Sequence, residues 1–323
     1  MSFLLALGAV LLLQTPAQTG PLPLAAGQES PAVAAGTPAP PEQEPVTVDD
    51  VTVEARPLDE FVRDFVAETG APARGRGLAR WQDRICVGVV NLESGLAQAI
   101  ADRVSQVGLG LGLDVAEPGC RANIFIVFTA DSDGLTAQLV ETYPDAFHVG
   151  VGGIDRGRTA LAAFTTSDQP VRWWHRSLPV VIDTGAPAIR LPGESDPPMI
   201  AVFAASRLTT PIRDDLKRAM VIVDVDRLGQ VNLAQLADYL AFVSLVQVDP
   251  DAELGAYDTV LNLFHDPAGV DGLTEWDESY LLALYKVQDA PVLRANHAAQ
   301  AGVVASVMTR DQRRAAAARP EAK

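Results

Sequence analysis

Histidine and cysteine are scarce in this chain of 323 residues, which has four of the one and two of the other. A structural zinc site needs roughly four thiolate or imidazole donors in close spacing, and Cys86 and Cys120 are the only thiols. His148, His175, His265 and His297 form no i, i+3 or i, i+4 pair, so they read as surface residues unless the fold gathers them. Basic residues are also few. Twenty-five Lys plus Arg against 41 Asp plus Glu leave a formal charge of -16, a field that repels phosphate backbones and excludes nucleic acid as a partner. No G-x-S-x-G nucleophile turn occurs. The glycine-rich "VGVGGIDRGR", with Arg156 and Arg158, lacks both the Lys-Ser/Thr of a phosphate loop and dinucleotide-binding spacing. It reads as a turn, and no cofactor is implied.

Long hydrophobic runs are missing too. The longest N-terminal run, Phe3 to Leu13, is too short to span a bilayer. Small and polar residues follow it, as in a secretory signal peptide over residues 1–17. An uncleaved membrane anchor is the other reading of the same run. Residues 18–50, rich in Pro, Ala, Gly and Glu with almost no large apolar side chain, read as a disordered linker. In an exported chain Cys86 and Cys120 invite a disulfide, and two buried thiols are the alternative. No internal repeat is present.

The globular part is expected over residues 51–309, with a disordered basic tail at 310–323. A short strand at Val51–Val53 precedes a helix with Phe61, Val62, Phe65 and Val66 on one face, ending at Gly70. "RICVGVV" is a buried-type strand. A helix capped by Ser94 follows, carrying Leu96, Ile100, Val104 and Val107, and then the apolar strand Asn123–Asp131. Residues 132–198 read as an insertion with a helix near Leu135–Thr142 and its own hairpin around "VRWWHRSLPVVID". Two further strands, "MIAVFAASRL" and "AMVIVDVDRLG", flank a charged segment that opens with Pro211. The capped "NLAQLADYLAFVSLVQ" is apolar nearly all round, so Leu233, Leu236, Leu240, Phe242 and Leu245 would each contribute about 1.5–3 kcal/mol by burial. In "LTEWDESYLLALYKV", Thr274 and Asp277 match a capping box, and Trp276, Tyr280, Leu281 and Leu284 face inward. One more helix runs into the tail.

This element order, with the short motifs "LTEWDESYLLALY", "CRANIFIVF" and "LADYLAFVSL", resembles a group of secreted bacterial proteins of zincin-like pattern and the upper subdomain of zincin-type metallopeptidases. The resemblance implies an α+β fold: a four- to five-stranded mixed sheet packed on a buried central helix plus C-terminal helices. In such peptidases that helix bears H-E-x-x-H. Here Leu236, Ala237 and Leu240 stand at those positions. No sliding of the register supplies a metal ligand, because the helix holds no His or Glu and its one acid is Asp238.

Three constellations remain. Asp224 and Asp226, at a strand end, suit either cation binding or pairing with Arg227 and helix N-terminal amides. A hydrolase with ligands from outside the expected helix would need Asp224, Asp226, His265 and Glu275 to converge. Arg172, Trp173, Trp174 and Arg176 are of the types that dominate binding hot spots, and would face a partner if exposed or fill the insertion's core if buried. The expectation is an exported binding or scaffolding protein of the periplasm or cell envelope, without metal ligands, whose partner is an envelope protein or cell-wall component. Membrane contact would come only through an uncleaved N-terminus.

Overall fold

A computed structural model describes residues 56–72, 76–147, 156–189, 211–286 and 297–318. The expected leader and linker, the strand at Val51–Val53, the strand "MIAVFAASRL", His148 and residues 319–323 lie outside them.

Among the described residues the α-helices are α1 (Leu58–Thr69), α2 (Ser94–Gly110), α3 (Ser132–Thr142), α4 (Pro144–Phe147), α5 (Arg158–Thr166), α6 (Leu233–Leu245), α7 (Glu275–Lys286) and α8 (His297–Ala318). The strands are β1 (Arg80–Trp81), β2 (Val87–Val90), β3 (Ile124–Thr129), β4 (Val171–Val181) and β5 (Ile212–Asp224). β2, β3 and the second half of β5 lie side by side in parallel, in register Val87↔Ile124 and Ile124↔Ala219. β1 runs parallel to β5 beside Asp215 and Leu216. β4 is antiparallel along the opposite edge of β5, from Val171↔Val223 to Val181↔Ile212, with a register shift between Arg176 and Ser177.

The result is a mixed α/β fold with a parallel-dominated, five-stranded sheet. Alternation along the strands assigns its two faces. Ala219, Val221 and Val223 of β5, with Val171 and Trp173 of β4, enter the main core with α1, α2, α6, α7 and α8. Ile222 and Trp174 point the other way, into a smaller core with Phe147 and Phe164 of α4 and α5. Helices on both faces of a mostly parallel sheet make an α/β layering rather than the expected α+β segregation.

Two strand assignments change for one reason. The stretch "VRWWHRSLPVV" is no hairpin of an insertion but the edge strand β4 of the main sheet. It finds its partner in a segment whose charges hide its strand character. "IRDDLKR" reads as a charged connection, yet it is the first half of β5, where Asp214 and Asp215 are buried. Asp215 is neutralised by Arg213 and Lys217, and Asp214 accepts the backbone N–H of Gly77 at 3.0 Å. Paired charges of this kind can enter a sheet interior that isolated ones cannot.

Smaller corrections concern helix ends. Glu93, not Ser94, caps α2, accepting from Gly95 and Leu96 N–H groups. The helix presents Ile100 and Val104 to the core and leaves Leu96 exposed. β2 is only half-buried along its length. α8 continues to Ala318, well past the point where the tail was expected to begin.

The Cys86–Cys120 disulfide forms, with a Cα–Cα separation of 6.1 Å, tying the segment before β3 to the start of β2. It is compatible with an exported protein. Among the described residues no helix is long and apolar enough to cross a membrane.

The apolar helix α6 lies between the sheet and the helices α2 and α7. Leu236, Leu240, Phe242 and Leu245 are buried as expected, but Leu233, in the first turn, is 38% exposed. Leu240→Ala is therefore expected to cost about 2–5 kcal/mol, and Leu233→Ala well under half of that, in urea denaturation of the two variants.

Candidate functional site

Both ends of α6 are closed by side chains, and these closures shape a cleft that it borders. Asn232 caps its N-terminus, accepting from the N–H groups of Ala234 and Gln235 at 2.9 and 3.0 Å, while Gln235 Oε1 accepts from Asn232 N–H at 2.9 Å. The Gln235 amide then donates to the carbonyls of Pro267 and Val270 at 2.8 and 2.7 Å. This fastens the far end of the loop 249–274 to the start of α6.

The middle of the loop is held by α7. Asp277 accepts from Thr259 Oγ1 at 2.6 Å and from Val260 N–H at 2.7 Å. The capping box read from Thr274 and Asp277 is present, with Thr274 N–H donating to the carboxylate and Asp277 N–H to Thr274 Oγ1. Asn262 ties the loop's own carbonyls, donating to Leu254 and Tyr257 at 3.0 and 2.8 Å. The near end is pinned where Trp173 Nε1 donates to Val248 O at 3.0 Å and Asp249 N–H to Thr69 O at 2.9 Å.

Between this loop, Trp173 of β4 and Tyr239 of α6 lies a cleft of about 700 Å³, within the range of small-ligand sites. Its aromatic wall is interlocked: Trp173 and Tyr239 meet edge-on at 6.3 Å between ring centres, and Tyr239 meets Phe264 at 4.9 Å. Its acidic wall carries Asp249, Asp251, Glu253, Asp258 and Asp266. Arg156 donates to both oxygens of Asp249 at 3.0 Å. His265, expected as a metal ligand, is an exposed residue on the same wall.

The other expected ligands are elsewhere. Asp224 is buried at the end of β5, accepting from Ser132 Oγ at 2.7 Å and Asp226 N–H at 3.1 Å, with Arg227 Nε 3.4 Å away. Of the two readings of this strand-end acid, pairing with Arg227 and a local amide is the one its contacts bear out. Asp226 and Glu275 are exposed, on the turn after β5 and at the start of α7. Among the described residues no group of three or more His, Cys, Asp or Glu side chains is placed to hold a metal ion, so the four-residue ligand set does not assemble.

The partner-facing patch is also corrected. Arg172, Trp173 and Trp174 are buried and Arg176 is half-buried, because β4 has helices against both faces. Arg172, 2% exposed, donates to Ser132 Oγ at 3.0 Å, to Asp133 at 2.7 Å and to the Thr165 carbonyl at 3.2 Å. It locks α3 and α5 onto the sheet. Trp173 alone of the four reaches the cleft wall.

His175 is no surface histidine. It is buried on β4 with Nε2 2.7 Å from the Val243 carbonyl, so Nε2 carries the proton. Burial lowers its pKa to about 4, although the hydrogen bond to Val243 opposes the shift. His297 opens α8.

Reasoning from sequence passed over the acidic loop and Tyr239. A signal was there: from Asp249 to Tyr285 the chain contains nine acids and no Lys or Arg.

Burial pushes the Asp277 carboxyl up from 3.8 to about 6, against hydrogen bonds from Thr259, Thr274 and Val260 that favour the anion. The folded chain then binds this proton more tightly than the unfolded one, so the contribution to stability is complete below about pH 4 and is lost as pH rises through 6. Asp277→Asn removes that slope and leaves the opposing one of His175 in both proteins. The stability advantage of the wild type over the variant is expected to be largest near pH 4 and smallest above about pH 6.5, read from urea midpoints.

Comparison with protein-family models, curated proteins and solved structures returns no match.

Proposed function

We propose that this protein is an exported, non-catalytic binding protein of the periplasm or cell envelope, and that it receives its ligand in the cleft between β4, α6 and the loop 249–274. The observation that carries this reading is a cleft of about 700 Å³ whose loop is fixed at both ends and in the middle before any ligand arrives. Pre-organisation lowers the ordering cost of binding. The wall offers charge and aromatic surface, and no Ser or Cys lines it. An activated nucleophile needs a base within hydrogen-bond reach, so binding fits these side chains better than acyl transfer does.

The scaffold reading belongs here too. A sheet with one antiparallel edge strand, followed by a buried helix and a loop under that edge, is similar in order to the upper subdomain of zincin-type peptidases. At the two positions where such a helix presents its histidines, this one has Leu236 and Leu240, 5% and 0% exposed. Core packing takes the place of metal ligation.

Gly255 lines the cleft, and a Cβ added there meets nothing within 4 Å, so Gly255→Trp adds a bulky side chain to the cleft lining with no clash at its Cβ. Incubation of the full chain with pooled synthetic peptides and cell-wall fragments is expected to slow amide exchange over residues 248–270 with no cleaved product in the mass spectrum. Gly255→Trp should abolish that protection at unchanged melting temperature. Turnover of any pooled compound, or protection that survives Gly255→Trp, overturns the proposal.

A further inference from the structure

We infer that the ligand of this cleft is an organic cation, the ammonium or guanidinium groups of a short basic polypeptide segment. The inference rests on the binding reading above and adds the ligand's chemistry to it.

Of the five cleft acids, two are occupied within the protein. Asp249 is held by Arg156, and Asp266 accepts the N–H of Gly269 at 3.0 Å. Asp251, Glu253 and Asp258 are exposed, and none is paired with a cation among the described residues. The wall itself contains no Lys or Arg. Three uncompensated carboxylates around one concavity focus a negative potential into it and raise the local concentration of cations.

Tyr239 supplies the second, independent sign. Its side chain is 5% exposed and lines the cleft, yet its hydroxyl has no hydrogen-bond partner among the described residues. That oxygen is not enclosed by protein, so in the cleft it meets water, and a donor on a ligand can take that water's place. Burial raises the phenol's pKa, so the group stays neutral and its oxygen can accept a hydrogen bond from an N–H donor. Cation and donor coincide in an ammonium or guanidinium group. Trp173 and Tyr257 on the same wall offer aromatic surface of the kind that attracts such groups.

A compact metal ion fits less well, because the free acids are spread along the loop rather than gathered about a point. A volume of about 700 Å³ takes more than one isolated amine. A segment with several basic side chains matches both the spread of charge and the space.

The test uses calorimetric titration of the full chain with hexalysine, hexaglutamate, a neutral hexapeptide and 1,5-diaminopentane, with amide exchange over residues 248–270 as a second readout. Hexalysine is expected to bind saturably and protect the loop. Tyr239→Phe should weaken it about fivefold, the worth of one hydrogen bond, and Asp251→Asn with Asp258→Asn by more than about tenfold. The equally charge-neutralising Glu141→Gln with Glu278→Gln, outside the cleft, should leave affinity unchanged. Equal weakening by both double variants would reduce the effect to diffuse attraction and overturn the inference. Protection by the neutral or acidic peptide but not by hexalysine overturns the cation assignment and leaves the binding reading standing; no protection in any arm, including the pooled compounds, overturns both. Diaminopentane binding as tightly as hexalysine assigns the site to a free amine and overturns the polypeptide source.

Discussion

A helix whose last turns are buried must find partners for its terminal carbonyls without water, and α6 does so completely at its C-terminal end. The last four carbonyls of a helix have no intrahelical donor. Here the Phe242 carbonyl accepts from Val246 N–H, Val243 from His175, Ser244 from Trp81 and Leu245 from Tyr285. Val246 is the cap residue of α6 itself, and the three side-chain donors come from three other elements: β4, β1 and α7. One requirement, that no buried carbonyl stay unpaired, therefore draws the sheet edge, the first strand and the penultimate helix together around one helix end.

The cleft is a consequence of the same arrangement. Val246 to Asp249 leave α6 in extended form, bridging to Gly70 and held by Trp173, so the following loop starts beneath β4. Its return is set by Gln235, which both closes the capping box of α6 and holds the carbonyls of Pro267 and Val270. Asp277 fixes the middle at the cost of burying a carboxyl group. The floor and rim of the cleft are thus made from groups whose first duty is to satisfy α6 and α7. Among the described residues the outward acids Asp251, Glu253 and Asp258 have no such duty.

Much of the scaffold was legible in the sequence. Apolar periodicity located α1, α6 and α7, an uninterrupted apolar run located β3, and the Thr274–Asp277 spacing read as a capping box because helix-end chemistry is local. Export predicted the Cys86–Cys120 pair. Reading failed where a residue's character depends on a distant partner. Asp214 and Asp215 look like loop residues until Gly77, Arg213 and Lys217 are seen around them. Arg172 and the tryptophans look like surface anchors until helices are found on both sides of β4.

For the site the division is sharper. The sequence by itself determined that α6 holds no His or Glu, that the chain as a whole is acidic, and that a long stretch after Asp249 contains no Lys or Arg. Only the tertiary structure decided that this stretch folds back under β4, that His265 joins its wall while Asp224 is consumed by Ser132 and Arg227, and that Tyr239 lines the same cleft as Asp251, Glu253 and Asp258, which have no cationic partner among the described residues. Local spacing governs caps and faces of helices. Which polar groups remain unpaired depends on every neighbour that the whole fold brings near them.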